Sequence, residues 1–352
     1  MRSLTIARAG DPFPGSAFAS PIYRIPALCV TQSGRILLAY DVREDWRDLP
    51  ADFDIAVRHS DDGGKTWSAP RALRRHEPGH GFGDASLTCA SISGGDILCW
   101  YVGSTGESYF SAKPGAPGLD LWLARSRDNG LTWEHEQVDG LRPAGVGGMF
   151  ASSGNGLALT DGGLVQTFVA RVDDSNYALA ARSDDSGKTW RAGSLIGPDC
   201  DENKVVELTN GDILMHARAA PARRQAVSPD GLTFTEPTPV PTLTDPACNG
   251  GLCRWGDTLV ASMCDHPEER GRLCLHLSDD DGITWGPAVS IDTGATAYSV
   301  LAPVDDDTLA IAWEADDYRT IQFARITCGE TITPRVGEGQ WAKPPVVNPS
   351  GK

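Results

Sequence analysis

The chain has 352 residues, 40% hydrophobic and 22% charged, with 47 acidic against 31 basic side chains and a formal net charge of −16. With no Lys/Arg-rich run, that balance excludes a nucleic-acid partner, because neutralising phosphates needs a basic face, and the composition excludes a disordered chain. No apolar run reaches the ~18 residues of a membrane-spanning helix.

In chain order, the opening "MRSLTIARAGDPFPGS" contains an alternating strand around Ser3–Arg8 and no apolar core of signal-peptide length. The expectation is a soluble cytoplasmic protein, or a secreted one if a leader has been removed. "YRIPALCVTQSGRILLAYDVR" reads as a hairpin turning at Ser33–Gly34, which pairs Arg24 with Arg43 at its open end. A loop carrying Asp45, Asp48, Asp52 and Asp54 follows, and then the strand "DIAVRHS" runs into "SDDGGKTW" at Ser60.

That octapeptide recurs as "SRDNGLTW" at Ser126, "SDDSGKTW" at Ser183, an eroded "SPDGLTF" at Ser228 and "SDDDGITW" at Ser278, spaced 66, 57, 45 and 50 residues apart. Each copy follows an alternating strand and ends on an aromatic residue. Ser and Asp can bond backbone N–H groups in a tight turn and Gly takes a positive φ, so the repeat is a hairpin staple rather than a catalytic motif. A second hairpin precedes each copy, which makes about four strands per unit and six units, beginning near Tyr23, Ala85, Ser152, Glu202, Cys248 and Tyr298. The expected fold is all-β: a six-bladed β-propeller of four-stranded antiparallel blades, spanning 1–352 as a single domain. Either the Ser3–Arg8 strand or the C-terminal segment closes its ring.

The later hairpins place unusual charges. In "ENKVVELTNGDILMHAR" a two-residue Asn210–Gly211 turn sets Asn203 opposite Arg218, with Glu202 adjacent. In "YSVLAPVDDDTLAIAWE" a turn near Asp306 sets Tyr298 opposite Glu314. Arg270 and Asp48 begin strands that end at staples, so both belong on the face opposite the staples. Several blades thus bring Arg, Glu, Asp and Tyr to one end of the propeller axis. The nine cysteines are an odd number, lie mostly in apolar runs and read as buried free thiols; the close spacing of Cys248 and Cys253 leaves a disulfide between them open.

"YRIPAL" followed by repeated S-x-D-x-G-x-T-W boxes, with "DENKVVELTNGDILMHAR" and "TAYSV", resembles the bacterial sialidases (exo-α-neuraminidases) over essentially the whole chain. That resemblance implies an arginine triad of Arg24, Arg218 and Arg270 gripping a substrate carboxylate, with Arg272 as rival to Arg270. It implies Tyr298 as nucleophile, Glu202 as its activating partner, Asp48 as acid/base, Arg43 as a further substrate contact and Glu314 as the carboxylate that orients Arg24. Asp45, Asp52 and Asp54 crowd the acid/base loop. The implied activity is retaining hydrolysis of terminal α-linked sialic acid on glycans by a monomer with no cofactor and no metal. Two other readings are compatible with these residues: a trans-sialidase or a hydrolase for a related nonulosonic acid, and a non-catalytic propeller that binds sialoglycans.

Overall fold

The computed structural model describes residues 1–90, 95–116 and 119–341. Among them there is no helix, and the strands form six antiparallel sheets arranged as the blades of a propeller. The first blade runs Ile22–Val30, Ile36–Arg43, Phe53–Ser60, Arg71–Arg74, and the second Gly81–Cys89, Ile97–Ser104, Leu119–Ser126, Glu134–Gln137. The third runs Met149–Ala151, Leu164–Val172, Ser175–Ser183, Arg191–Ala192, and the fourth Asn203–Glu207, Ile213–Ala217, Ala222–Ser228, Thr238–Thr244. The fifth runs Leu252–Trp255, Thr258–Cys264, Leu273–Ser278, Val289–Asp292. The sixth takes Thr296–Pro303, Thr308–Ala315 and Thr320–Thr327 from the C-terminal part of the chain and Ser3–Arg8 as its outer strand. The N-terminal strand is therefore the ring closure. The C-terminal segment instead lies along the fifth blade, where the Arg335 amide donates to the Ile291 carbonyl at 2.8 Å.

Alternation along each strand puts apolar side chains on both faces of each blade, and these meet as six cores, one between each pair of neighbours. Between the second and third blades Trp100 packs edge-on against Phe168 and Trp190, with ring centroids 5.3 and 5.2 Å away. The ring is held by these wedges, because a single four-stranded sheet leaves both faces wet.

The repeated boxes sit between the third and fourth strands of blades one to five. In each, the buried Ser hydroxyl donates to the Asp two residues on at 2.8–2.9 Å and accepts a Gly amide at 2.8 Å. The same Asp accepts the Thr amide at 2.8–2.9 Å. The eroded copy at Ser228 keeps these three bonds but lacks the Thr hydroxyl to Asp Oδ2 bond, 2.5–2.7 Å, of the other four. The box also does something that its sequence does not announce: it rivets neighbouring blades. Gly130 of the second blade, at φ 84°, lies so close to the first blade that a Cβ there would stand 2.6 Å from Leu37, and Arg35 of the first blade donates to the Asn129 carbonyl at 2.9 Å. The third blade repeats the arrangement, with Arg125 of the second blade donating to the Gly187 carbonyl at 2.9 Å.

Two hairpin registers differ from the sequence expectation by one residue beside the turn, for one reason, and the first slips by a second residue at its bulge between Arg24 and Ala27. Thr31 pairs with Arg35 and Leu208 with Asp212, and the Gly34 and Gly211 amides donate back to Thr31 and Leu208. The loops therefore hold three residues, ending on a Gly at φ 79° and 86°, rather than two, so each partner moves by one. Asn203 faces Ala217 instead of Arg218, which brings Arg218 across from Glu202. Arg24 faces Asp41, and Arg43 faces Ile22. The sixth-blade register follows the expectation beyond Ser299.

Gly130→Ala is expected to lower stability by roughly 2–4 kcal/mol through positive-φ strain and crowding against Leu37, read as a fall in the urea midpoint; an unchanged midpoint refutes the rivet. The Asp128 and Asp185 carboxyls are held down to about 2 by the Thr and Ser hydrogen bonds of their boxes, for Asp185 against an opposing effect of burial. Because the folded value is the lower one, their contribution is present above pH ~4 and lost as pH falls towards 2. Thermal melts should show acid destabilisation in that window, smaller in Asp128→Asn.

Candidate active site

Antiparallel order makes first strands leave one face of the ring and second strands return to it. Arg24, Glu202 and Tyr298 stand at the beginnings of first strands, Arg43, Arg218 and Glu314 at the ends of second strands, and Asp48 and Arg270 just before third strands. All eight meet at one end of the axis. Seven line a cavity of about 610 Å³, and Glu314 lies behind Arg24. The staples end the third strands and are thus at the far face.

The first strands do not run straight into this cavity. Register shifts interrupt them between Arg24 and Ala27, Gly83 and Ser86, and Thr296 and Ser299, and Ile25 and Asp84 both sit at φ 58°. Bulges of this kind re-aim side chains. Here they turn Arg24, Asp84 and Tyr298 inward, at an expense in backbone strain typical of functional sites.

Glu314 is fully buried and organises one side. It accepts from Arg24 Nε at 2.6 Å, from the Ile25 amide at 2.9 Å and from the Tyr298 amide at 3.2 Å. On the other side Arg218 Nη1 donates to Glu202 Oε2 at 2.5 Å and to the Tyr298 hydroxyl at 2.8 Å. The phenol and the carboxylate meet at one guanidinium nitrogen. Arg270 donates to the Ala247 carbonyl at 2.9 Å and to the Tyr318 hydroxyl at 3.1 Å. The guanidinium carbons of Arg24, Arg218 and Arg270 lie 5.9, 6.0 and 5.5 Å from the centroid of the Tyr298 ring. Arg272, by contrast, turns outward to Asp265. Among the described residues the buried Nε of Arg270 has no hydrogen-bond partner, and that of Arg218 has only Asp201 Oδ2 at an ion-pair distance of 3.8 Å, so Arg270 keeps a donor for an anion. Burial pushes the Tyr298 phenol well above its ordinary value despite Arg218, so it is neutral in the free protein.

Across the cavity, Arg43 is buried over the Phe53 ring, 4.1 Å from its centroid, and bridges Asp41 at 2.7 Å and Asp48 at 2.8 Å. Burial raises the Asp41 carboxyl to about 6 against the pull of Arg43. Asp48 is 75% exposed at the rim. Of the four loop aspartates it alone lines the cavity: Asp45 pairs with Arg47 at 2.7 Å and Asp54 with His76 at 2.7 Å. The remaining wall is aromatic, with Tyr109 packed edge-on against Phe110 and Phe150.

Three site groups escaped the sequence reading. Asp84 lines the cavity, and burial followed by the neighbouring Asp41 pushes its carboxyl well up; its place in the second blade's first strand matches that of Ile25, next to Arg24, in the first. Tyr318 closes a run of three residues at positive φ, Asp316–Tyr318, and its ring lies under Arg24 at 4.4 Å. Asn249 bonds Glu202 Oε1 through Nδ2 at 3.0 Å. Neither of the last two carries a local signal, because their partners are remote. All nine cysteines are free thiols, so Cys248 and Cys253 are not joined.

Six blades, five boxes and a polyionic funnel define a class, and the chain belongs to it: residues 54–311 match the model of the BNR repeat-like domain family. Within that class its similarity is to sialidases. It is 32% identical over 323 residues to a sialidase of Micromonospora viridifaciens, covering 84% of this chain and 50% of the relative. A sialidase of Bacteroides fragilis is 28% identical over 333 residues, 84% of this chain and 60% of that one. The chain thus spans about half the length of the curated relatives it matches. Among solved structures, Hadza microbial sialidase Hz136 superposes with a TM-score of 0.81 at 26% identity, over 87% of this chain and 66% of that one. The intramolecular trans-sialidase of Ruminococcus gnavus shares the fold, at TM-score 0.80 and 14% identity over 93% and 99% of the two chains.

Glu314→Gln keeps the shape but removes the charge that offsets Arg24. It is expected to destabilise the fold by ~1–3 kcal/mol, measured in urea; a wild-type midpoint contradicts the orienting contact.

Proposed function

We propose that the chain is an exo-acting retaining sialidase that removes terminal α-linked sialic acid from glycans. The observation that carries this is the set of three guanidiniums around one tyrosine ring, of which Arg270 has a buried Nε without a hydrogen-bond partner and no carboxylate beside it among the described residues. Sialic acid bears a carboxylate on its anomeric carbon. Planar, charge-assisted bonds from arginine suit that group better than the point charge of lysine, at ~1.5–3 kcal/mol each.

A carboxylate nucleophile would bring a second anion to a centre that already carries one. A neutral tyrosine avoids the repulsion, and sialidases depart from the two-carboxylate rule in this way. Because burial holds the Tyr298 phenol protonated, attack needs a base. Glu202 is the base in this reading, and Arg218 Nη1, shared by both groups, stabilises the charge as the proton leaves. Asp48, exposed at the rim and fastened to Arg43 at 2.8 Å, protonates the departing glycosidic oxygen and then takes a proton from water. Two inversions at the anomeric carbon return the α configuration.

The test is a fluorogenic sialoside assay with the product followed by proton NMR. The expected result is α-sialic acid as the first product. Tyr298→Phe should lower kcat by ~10²–10⁴ while an unsaturated sialic acid analogue still binds. Arg270→Ala should weaken that binding by ~10–100-fold. A wild-type protein inert on sialosides from pH 4 to 8 would reject the reading.

A further inference from the structure

A fully buried ammonium lies beneath the proposed base. Lys204 is 1% exposed, stands two residues after Glu202 on the fourth blade's first strand, and forms no ion pair among the described residues. Its Nζ donates to Asn249 Oδ1 at 2.9 Å, to the Asn203 carbonyl at 3.3 Å and to Ser152 Oγ at 3.4 Å. Taking an unpaired ammonium out of water costs several kcal/mol, which an apolar side chain of the same length avoids. Space is made for it: a Cβ on Gly154 would meet Lys204 Cε at 2.9 Å.

Asn249 is the link to the site. Its Nδ2 donates to the Ser153 carbonyl at 3.1 Å, to Ser153 Oγ at 2.9 Å and to Glu202 Oε1 at 3.0 Å. Ser153 Oγ also donates to Glu202 Oε1 at 3.2 Å. An amide can be turned over, but an ammonium has only donors and a carboxylate only acceptors. Rotating Asn249 would set its NH₂ against Lys204 and its oxygen against Glu202 and the Ser153 carbonyl, so Lys204 on one side and those acceptors on the other jointly hold the orientation seen. Oε1 is then occupied by Asn249 and Ser153, and Oε2 is the oxygen left for Arg218 Nη1, the nitrogen that also bonds the Tyr298 hydroxyl.

We propose that Lys204 is a positioning residue for Glu202, acting through Asn249 to fix which carboxylate oxygen faces the nucleophile. This rests on the reading of Glu202 as the base. Burial pulls the Lys204 ammonium down to about 7, against Glu202, and Arg223 pulls the same way as burial. The other titratable groups around it are His216 directly opposite on the second strand, pushed down to about 3 by burial and so neutral, and Asp245, ion-paired with Arg223 at 3.1 Å. The ammonium has donors only, whereas the neutral amine can also turn a lone pair towards Asn249, so the positioning is firmest well below pH ~7 and weakens as pH rises through it.

The experiment compares the wild type with Lys204→Met and with the isosteric Asn249→Asp, a second variant of unchanged volume should the first not fold. The expected result at pH 5–6 is a 10–100-fold lower kcat with KM and analogue binding within about twofold of wild type, and loss from Lys204→Met of an alkaline step in kcat near pH 7. Wild-type kcat and pH profile in a folded variant, or a KM change equal to the kcat change, would overturn the proposal and leave the sialidase reading standing. If the wild type itself is inert, NMR titration of the Lys204 side chain in wild type and Glu202→Gln decides separately: the lysine midpoint should fall when the carboxylate is removed, and an unmoved midpoint refutes the coupling.

Discussion

Three cations around one aromatic ring repel one another, and the protein interior weakens their hydration, so the arrangement exists only because buried carboxylates offset it. Glu314 does this for Arg24 and Glu202 for Arg218, at 2.6 and 2.5 Å. Arg270 has only neutral partners, a carbonyl and a phenol. Arg270 is thus the member of the trio with no carboxylate partner among the described residues, in a chain of net charge −16. Selectivity for an anion is local and opposes the overall field.

Holding like charges in place needs a rigid frame, and the ring supplies it. Blades are wedged by six apolar cores and riveted at the far face by boxes whose Ser–Asp–Thr bonds close within eight residues. The same glycine that permits the turn lets the turn sit against the neighbouring blade. Strain at Ile25 and Asp84 is tolerated because the strands on either side are fixed. The stable end carries the repeats, and the end with backbone irregularities carries the charges.

Beneath the cavity a chain of buried polar groups runs from Lys204 through Asn249 to Glu202 and on to Arg218 and Tyr298. Each member is set by the next one's donor or acceptor character. In a low dielectric such a network is specific because misplacing one group leaves others unsatisfied. It joins the fourth and sixth blades through the loop that enters the fifth, so the orientation of one carboxylate depends on packing across half of the ring.

The box spacing, the strand alternation and the placement of charges at strand beginnings and ends settled the propeller, the staples and the face on which the site lies. These signals are short-range, since each box is satisfied within its own turn. Tertiary structure alone decided that three-residue loops shift two registers, that Asp48 rather than Asp45 or Asp54 reaches the cavity, that Asp84 lines it, and that Tyr318 and Lys204 lie behind its lining residues. The reason is distance along the chain: Arg24 and Glu314 are 290 residues apart and bonded at 2.6 Å, and no local pattern encodes a partner that only ring closure brings into reach.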